Sequence, residues 1–300
     1  MCLYTYFHYV YTEEPLHPLC GRSWQIRIDR ISYVDAKGPM YGRYRAEQFY
    51  SGEDYMLQID AHTLFVTHWD NIVIDMMKRT QNPYAVLTTY PKATGTDLLH
   101  WRAPISVPDD GVVAICQTKQ LPSSHFMFKH ERGIFIINPG KPVLTPFFAA
   151  GFSFSRGHRI LNVPADPYLP YLFDGEEMLM STRLWTHGYD LYLPDRDVIY
   201  HIYESDYQRP LFWNDDWSTL KRKAVLTAQN RINYILQLYD RYPRYGKLDL
   251  REIEKYSLGK QRNITQYWNW LGFDFDKFES LDHCDNLRLG KLQRIPTVSD

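Results

Sequence analysis

No run of about 18 apolar residues occurs in this sequence, so it offers no candidate membrane-spanning helix. Cysteine is sparse. The four present, Cys2, Cys20, Cys116 and Cys284, form no CxxC pair, which argues against a zinc site. Four scattered thiols in 300 residues do not make a disulfide scaffold, and they fit a reducing compartment. Excess charge of either sign is missing too: 34 basic residues face 35 acidic ones, for a net charge of −1. With no polyanion-binding face implied, nucleic acid is a poor partner. There is no internal repeat, no low-complexity tract, and no Pro-, Gly- or Ser-rich linker that would separate domains. The opening "MCLYTYFHYVYTEEP" lacks the basic region and small-residue cleavage site of a signal peptide and reads as a strand. Asn263-Ile264-Thr265 matches a glycosylation sequon, a triplet that often arises by chance.

What is present is enough for a sizeable core. The chain is 44% hydrophobic and 16% aromatic, which suits dense packing and also a cleft that stacks on rings or sugars. Length alone allows one large domain or two smaller ones. Alternation over 24–34, "WQIRIDRISYV", predicts a strand, and a turn follows at Lys37-Gly38-Pro39. Helical spacing over 40–51 is followed by a strand at about 54–60, a helix at 68–81 and a strand at 84–91. Short strands are expected within 111–154, and a helix over 175–187. Strands follow at "YDLYLP" and "VIYHIY", then helices at about 217–240 and 263–271. Strands alternating with helices argue for an α/β sheet domain with a more helical C-terminal third.

The strand ending in Gln58-Ile59-Asp60-Ala61-His62 stands out. Residues two apart on a strand share a face, so Asp60 and His62 can aim at one point beyond its end. Ligands bind at that end of open α/β sheets. A carboxylate and an imidazole together suit a divalent ion such as Mn2+ that neutralises a diphosphate leaving group. Read on its spacing alone, the triplet is better explained as a plain strand-end turn.

The surrounding stretch "GPMYGRYRAEQFYSGEDYMLQIDAHTLFVTHWD" resembles the donor-binding core of the polypeptide N-acetylglucosaminyltransferase family. This family includes the enzyme that modifies hydroxyproline on Skp1 and relatives that initiate glycans on trypanosomal mucins. The family's strand end reads Asp-Ser-His, and here the middle residue is Ala61. The likeness resumes over 146–203, from "PFFAAGFSFS" to "VIYHIY", and in "LTTYP" and "RNITQYWNWLGFDF", so that it spans about 38–275. It implies one GT-A glycosyltransferase domain over 1–280. A nucleotide-sugar half would occupy about 1–110 and an acceptor half with C-terminal helices about 111–280, with a tail at 281–300.

The resemblance also implies residues. Asp60 and His62 match the metal motif, and His201 in "VIYHIY" occupies the place of a third ligand; read alone, His201 is an ordinary strand histidine. Asp174-Gly175-Glu176-Glu177 sets three carboxylates in four residues, which repel unless a cation or hydroxyl donors are near. A helix N-terminus would also favour such acids. The family's Gly-Glu-Glu matches Gly175-Glu176-Glu177, with Glu176 assigned to sugar hydroxyls and Glu177 to the acceptor side, or the reverse. Arg43 and Arg45 are candidates for the uridine or diphosphate, since the arginine fork matches phosphate. Arg156, His158, Arg159 and Trp185 are candidate cleft residues, Trp185 equally a core residue, and His187 lies in a turn.

The implied activity is metal-dependent, retaining transfer of GlcNAc from UDP-GlcNAc, with Mn2+ or Mg2+, to a hydroxyl of a Skp1-like or mucin-like protein. The cytoplasm is favoured, with the Golgi membrane as the alternative if an anchor lies upstream. The family's opening strand, with its uridine-cradling loop, has no counterpart here, so the chain is expected to begin inside the nucleotide domain and to leave a sheet edge unpaired. A non-catalytic protein-binding relative and a glycoside hydrolase using paired carboxylates are the competing readings.

Overall fold

The computed structural model describes residues 20–61, 63–93, 111–137, 139–201, 203, 218–242 and 246–298. The opening stretch, expected as a strand, lies outside them, and so does His62. The first long element is helix α1, Pro39–Glu47, which starts on a proline after Gly38 with φ +88°. Strands β1, Tyr55–Ile59, and β2, Thr63–Phe65, follow, then helix α2, Trp69–Arg79, and strands β3, Ala85–Thr88, and β4, Lys92–Ala93. A long hairpin pairs β5, Val112–Leu121, with β6, Met127–Ile136. Next come β7, Val143–Thr145, β8, Phe152–Arg156, and the short helix α3, Arg159–Asn162. Helix α4, Glu176–Thr186, leads to β9, Asp190–Leu193, and β10, Ile199–His201. Helices α5, Thr219–Ile235, α6, Ile253–Tyr256, α7, Ile264–Leu271, and α8, Cys284–Arg288, close the chain.

The central sheet has five strands in the order β1-β8-β3-β9-β7. β8 runs antiparallel to both β1 and β3, so β1 and β3 point the same way, and β9 is parallel to β3. The carboxyl ends of β1, β3 and β9 therefore meet the start of β8 at one rim of the sheet. β1 is an edge strand, and among the described residues nothing pairs with its outer side. A smaller sheet, β2-β10-β4, sits beside it, with His201 opposite Thr63 and Ala93.

Apolar residues fill both faces. α2 packs Val73, Met76 and Met77 against Ala85, Leu87, Phe152 and Phe154. α4 is buried along almost its whole length, which places Met178, Leu179 and Trp185 in the largest cluster with Ile232 of α5 and Tyr267 and Trp268 of α7. Trp185 is thus a core residue, stacked on Trp270 at 6.1 Å, and not a cleft residue.

Two expectations are corrected here. Residues 24–34 form no strand: short 3-10 turns at Cys20–Gln25 and Tyr33–Asp35 flank extended backbone that joins no sheet. Alternation makes a strand only when one face is covered, and Trp24, Tyr33 and Val34 stay exposed. The cysteines are not all scattered thiols. Cys116 of β5 and Cys284 at the start of α8 form a disulfide across 168 residues, with Cα atoms 4.8 Å apart. Residues 281–300, expected as a tail, carry α8, whose Cys284 and Leu287 are buried with Val112, Ala114 and Ile136 of the hairpin.

Candidate active site

The rim where β1, β3 and β8 converge collects the candidate residues. Asp60 is the first residue beyond β1, and its N–H donates to the Gly151 carbonyl at 3.4 Å. Thr63 Oγ1 donates to the Asp60 carbonyl at 2.8 Å, which closes the turn into β2. β2 in turn aligns Thr63 with His201, so His201 stands across the small sheet from the segment after Asp60. A Cβ at Gly151 would lie 3.4 Å from Asp60 Oδ2; the glycine keeps that oxygen clear of a neighbouring side chain.

α4 approaches the same rim with its N-terminus. Gly175 caps it with φ +93°, a conformation other residues adopt only under strain, and the next two residues are Glu176 and Glu177. Glu176 is buried and forms an ion pair with Arg43 of α1, and Arg43 Nη2 also reaches Asp60 Oδ1 at 3.4 Å. Glu176 Oε2 has no hydrogen-bond partner among the described residues. Burial pushes the Glu176 carboxyl from 4.5 up to about 7, although Arg43 pulls it down. Desolvation disfavours the Arg43 charge, but Glu176, Asp60 and Glu177 outweigh it and leave its pKa raised.

Glu177 is held by different donors. The Ala150 N–H donates to Oε1 at 2.9 Å and the Tyr90 hydroxyl donates to Oε2. His130 Nε2 lies 3.8 Å from Oε2 and donates to the Phe148 carbonyl at 3.2 Å. Burial lowers the His130 pKa to about 4, so the ring is neutral near pH 7. Burial also raises the Glu177 pKa, against the pull of Ala150, Tyr90 and Arg43. Tyr203, in ring contact with His201 at 4.5 Å, bonds the Pro91 carbonyl; burial, then the charges of Asp60, Asp197 and Glu177, raises its pKa.

The structure thus brings Arg43, Asp60, Glu176 and Glu177 together and sets His201 on the adjoining sheet. Asp174 stands half-buried before Gly175; burial raises its pKa, and the opposing charge is Lys129 rather than Arg43. Arg45 turns elsewhere, to Asp29, and ties the segment before α1 to that helix. Arg159 is buried in an ion pair with Glu47 at 2.6 Å, and Glu47 also accepts from the Ala165 N–H, so this expected cleft residue serves to lock α1 to α3. Arg156 lies over the Tyr55 ring, and His158 bonds the Tyr189 hydroxyl at 2.8 Å and the Pro83 carbonyl at 3.2 Å. Tyr90, His130 and Tyr203 were missed by sequence reasoning. Tyr90 fell inside the strand expected over 84–91, which the structure ends at Thr88.

Among the described residues no three His, Cys, Asp or Glu side chains at this rim lie close enough together to share an ion, and His62, an expected ligand, falls outside those residues. Asp60 is about half exposed, with Gly151 beside it, and His201 faces the strand that leaves Asp60.

Comparison with known proteins adds the family. The chain matches the model described as Glycosyltransferase (GlcNAc) over residues 11–277. No curated protein matches it. Among solved structures it is similar to the crystal structure of GalNAc-T7 with UDP, GalNAc and Mn2+. Identity is 14% and TM-score 0.48, and the match covers 81% of this chain and 46% of that one. The chain spans less than half the length of that protein. Because the family match runs through nearly the whole chain, including the rim described above, this protein belongs to the Glycosyltransferase (GlcNAc) family and has a GT-A glycosyltransferase fold.

Proposed function

We propose that this chain transfers N-acetylglucosamine from UDP-GlcNAc to a hydroxyl of a protein, hydroxyproline or Ser/Thr, with retention of configuration. The observation that supports this best is the contact of Arg43 with both Asp60 and Glu176 at the carboxyl end of β1. It sets one cation between two carboxylates where an open α/β sheet binds its ligand. Asp60, His62 and His201 would hold a divalent ion, Mn2+ or Mg2+. That ion would supply charge neutralisation of the departing diphosphate.

The roles of the chain's own residues follow from their surroundings. Arg43 can turn its fork from the carboxylates to a phosphate. Glu176 presents Oε2 to a sugar hydroxyl, which satisfies a buried oxygen that has no partner among the described residues. Glu177, fixed by Tyr90 and Ala150, lends negative charge to the acceptor side. The acceptor oxygen bonds to the anomeric carbon as the bond to UDP breaks, and the acceptor proton passes to the leaving β-phosphate oxygen. The protein contributes orientation and preset charge. A Skp1-like or mucin-like protein would supply the hydroxyl.

UDP release from UDP-GlcNAc and Mn2+, with and without chelator, tests this reading. Release is expected to need the metal and to disappear in Asp60→Ala and His201→Ala. Equal release from wild type and both variants would overturn the ligand assignment. No release from any of them would favour a non-catalytic relative that binds protein.

A further inference from the structure

We infer that this chain matures in an oxidising lumen, where Asn263 carries an N-linked glycan. Two independent features lead there. The first is the Cys116–Cys284 bridge. Both sulfurs are buried, in a cluster that includes Val112, Ala114, Ile136, Leu193 and Leu287. A buried bridge joining β5 to the last helix belongs to a chain that folds where thiols are oxidised; structural disulfides are rare in reducing compartments. This opposes the cytoplasmic expectation drawn from scattered thiols and, of the two acceptor classes proposed above, fits the mucin-like one.

The second feature is the geometry of the sequon. Asn263 is exposed at the N-cap of α7, and Thr265 is exposed beside it, while Ile264, Tyr267, Trp268 and Leu271 of the same helix are buried. The cap uses only the amide oxygen: Asn263 Oδ1 accepts from the Thr265 N–H at 2.7 Å. The Asn263 N–H is satisfied by Gln266 Oε1 at 2.9 Å. Glycosylation takes place at the other atom, Nδ2. There a bond forms between Nδ2 and the anomeric carbon of an oligosaccharide as its bond to a polyprenyl diphosphate breaks. Nδ2 gives up one proton and keeps the other. The oxygen that holds the helix is untouched, so the modified residue still caps α7. The middle residue is isoleucine, not the proline that blocks the reaction. A sequon that is exposed, on a helix cap that tolerates the product, in a chain with a buried disulfide, is no longer a bare triplet.

The test uses the full chain, tagged and purified from the cells that make it. Peptide N-glycosidase treatment should raise its gel mobility by one step. Asn263→Asp keeps the capping oxygen, and Thr265→Ala keeps the backbone donor, so both should fold; each should migrate like the digested wild type and ignore the enzyme. Without reductant, Cys116 and Cys284 should resist alkylation and their peptides should remain joined. Mobility unchanged by the glycosidase, a shift that persists in either variant, or free Cys116 and Cys284 thiols would overturn the inference.

Discussion

Tyr90, two residues past the end of β3, donates its hydroxyl to Glu177 on the first turn of α4, a contact across 87 positions of sequence. Glu177 is therefore placed by the sheet as well as by its own helix. Burial, then the Glu177 charge, raises the tyrosine pKa, so Tyr90 acts as donor at every working pH.

Tyr90→Phe keeps the ring and removes that donor. An unsatisfied buried carboxylate oxygen costs about 1–3 kcal/mol, equivalent to roughly a tenfold to hundredfold fall in kcat if Glu177 acts in the reaction. KM for UDP-GlcNAc should change little. Since the hydroxyl lowers the Glu177 pKa, the acid limb of the pH–rate profile should move to higher pH in the variant. Steady-state rates across pH check this.

Glu176 gives a pH prediction for the donor-free protein. Its folded pKa, about 7, lies above its ordinary 4.5, so between those values the folded state holds more protons than the unfolded one. Stability must then fall as pH rises through that window, by an amount on the order of 3 kcal/mol for this group. Urea unfolding of wild type against Glu176→Gln should show that difference growing from pH 4.5 to pH 7. Arg43→Met should steepen the loss, because Arg43 favours the charged carboxylate.

Gly175→Ala should damage the site without touching a charged group. The residue has φ +93°, and an added Cβ would sit 2.9 Å from Met127 Sδ. Strain of about 1–3 kcal/mol is expected in thermal unfolding. UDP release should fall further than stability does, because the carboxylates of Glu176 and Glu177 are aimed by this cap.

Removing the bridge with Cys116→Ser and Cys284→Ser together should lower stability by about 2–5 kcal/mol, as the closed loop is long. Urea unfolding with and without reductant measures it: reductant should weaken wild type and leave the double variant unchanged.

The sequence by itself determined the elements and the family. Apolar periodicity marked β1, α2, β3, α4, β9 and α7 to within a few residues, because each must bury one face or stripe. The order of motifs from Gly38 to Phe275 pointed to a glycosyltransferase, and the Gly-Glu-Glu run marked the start of α4. Local pattern misled at 24–34, where alternation had no partner strand to pair with.

Only tertiary structure decided which charges meet. Arg43 and Arg45 look alike in the sequence, yet they sit on different faces of α1; one enters the rim and the other turns to Asp29. Arg159 went to Glu47, Tyr90 to Glu177 and Cys116 to Cys284. Pairings of this kind join residues 87 to 168 positions apart. They depend on strand order and on the direction of β8 between β1 and β3, and periodicity within a segment carries no information about either.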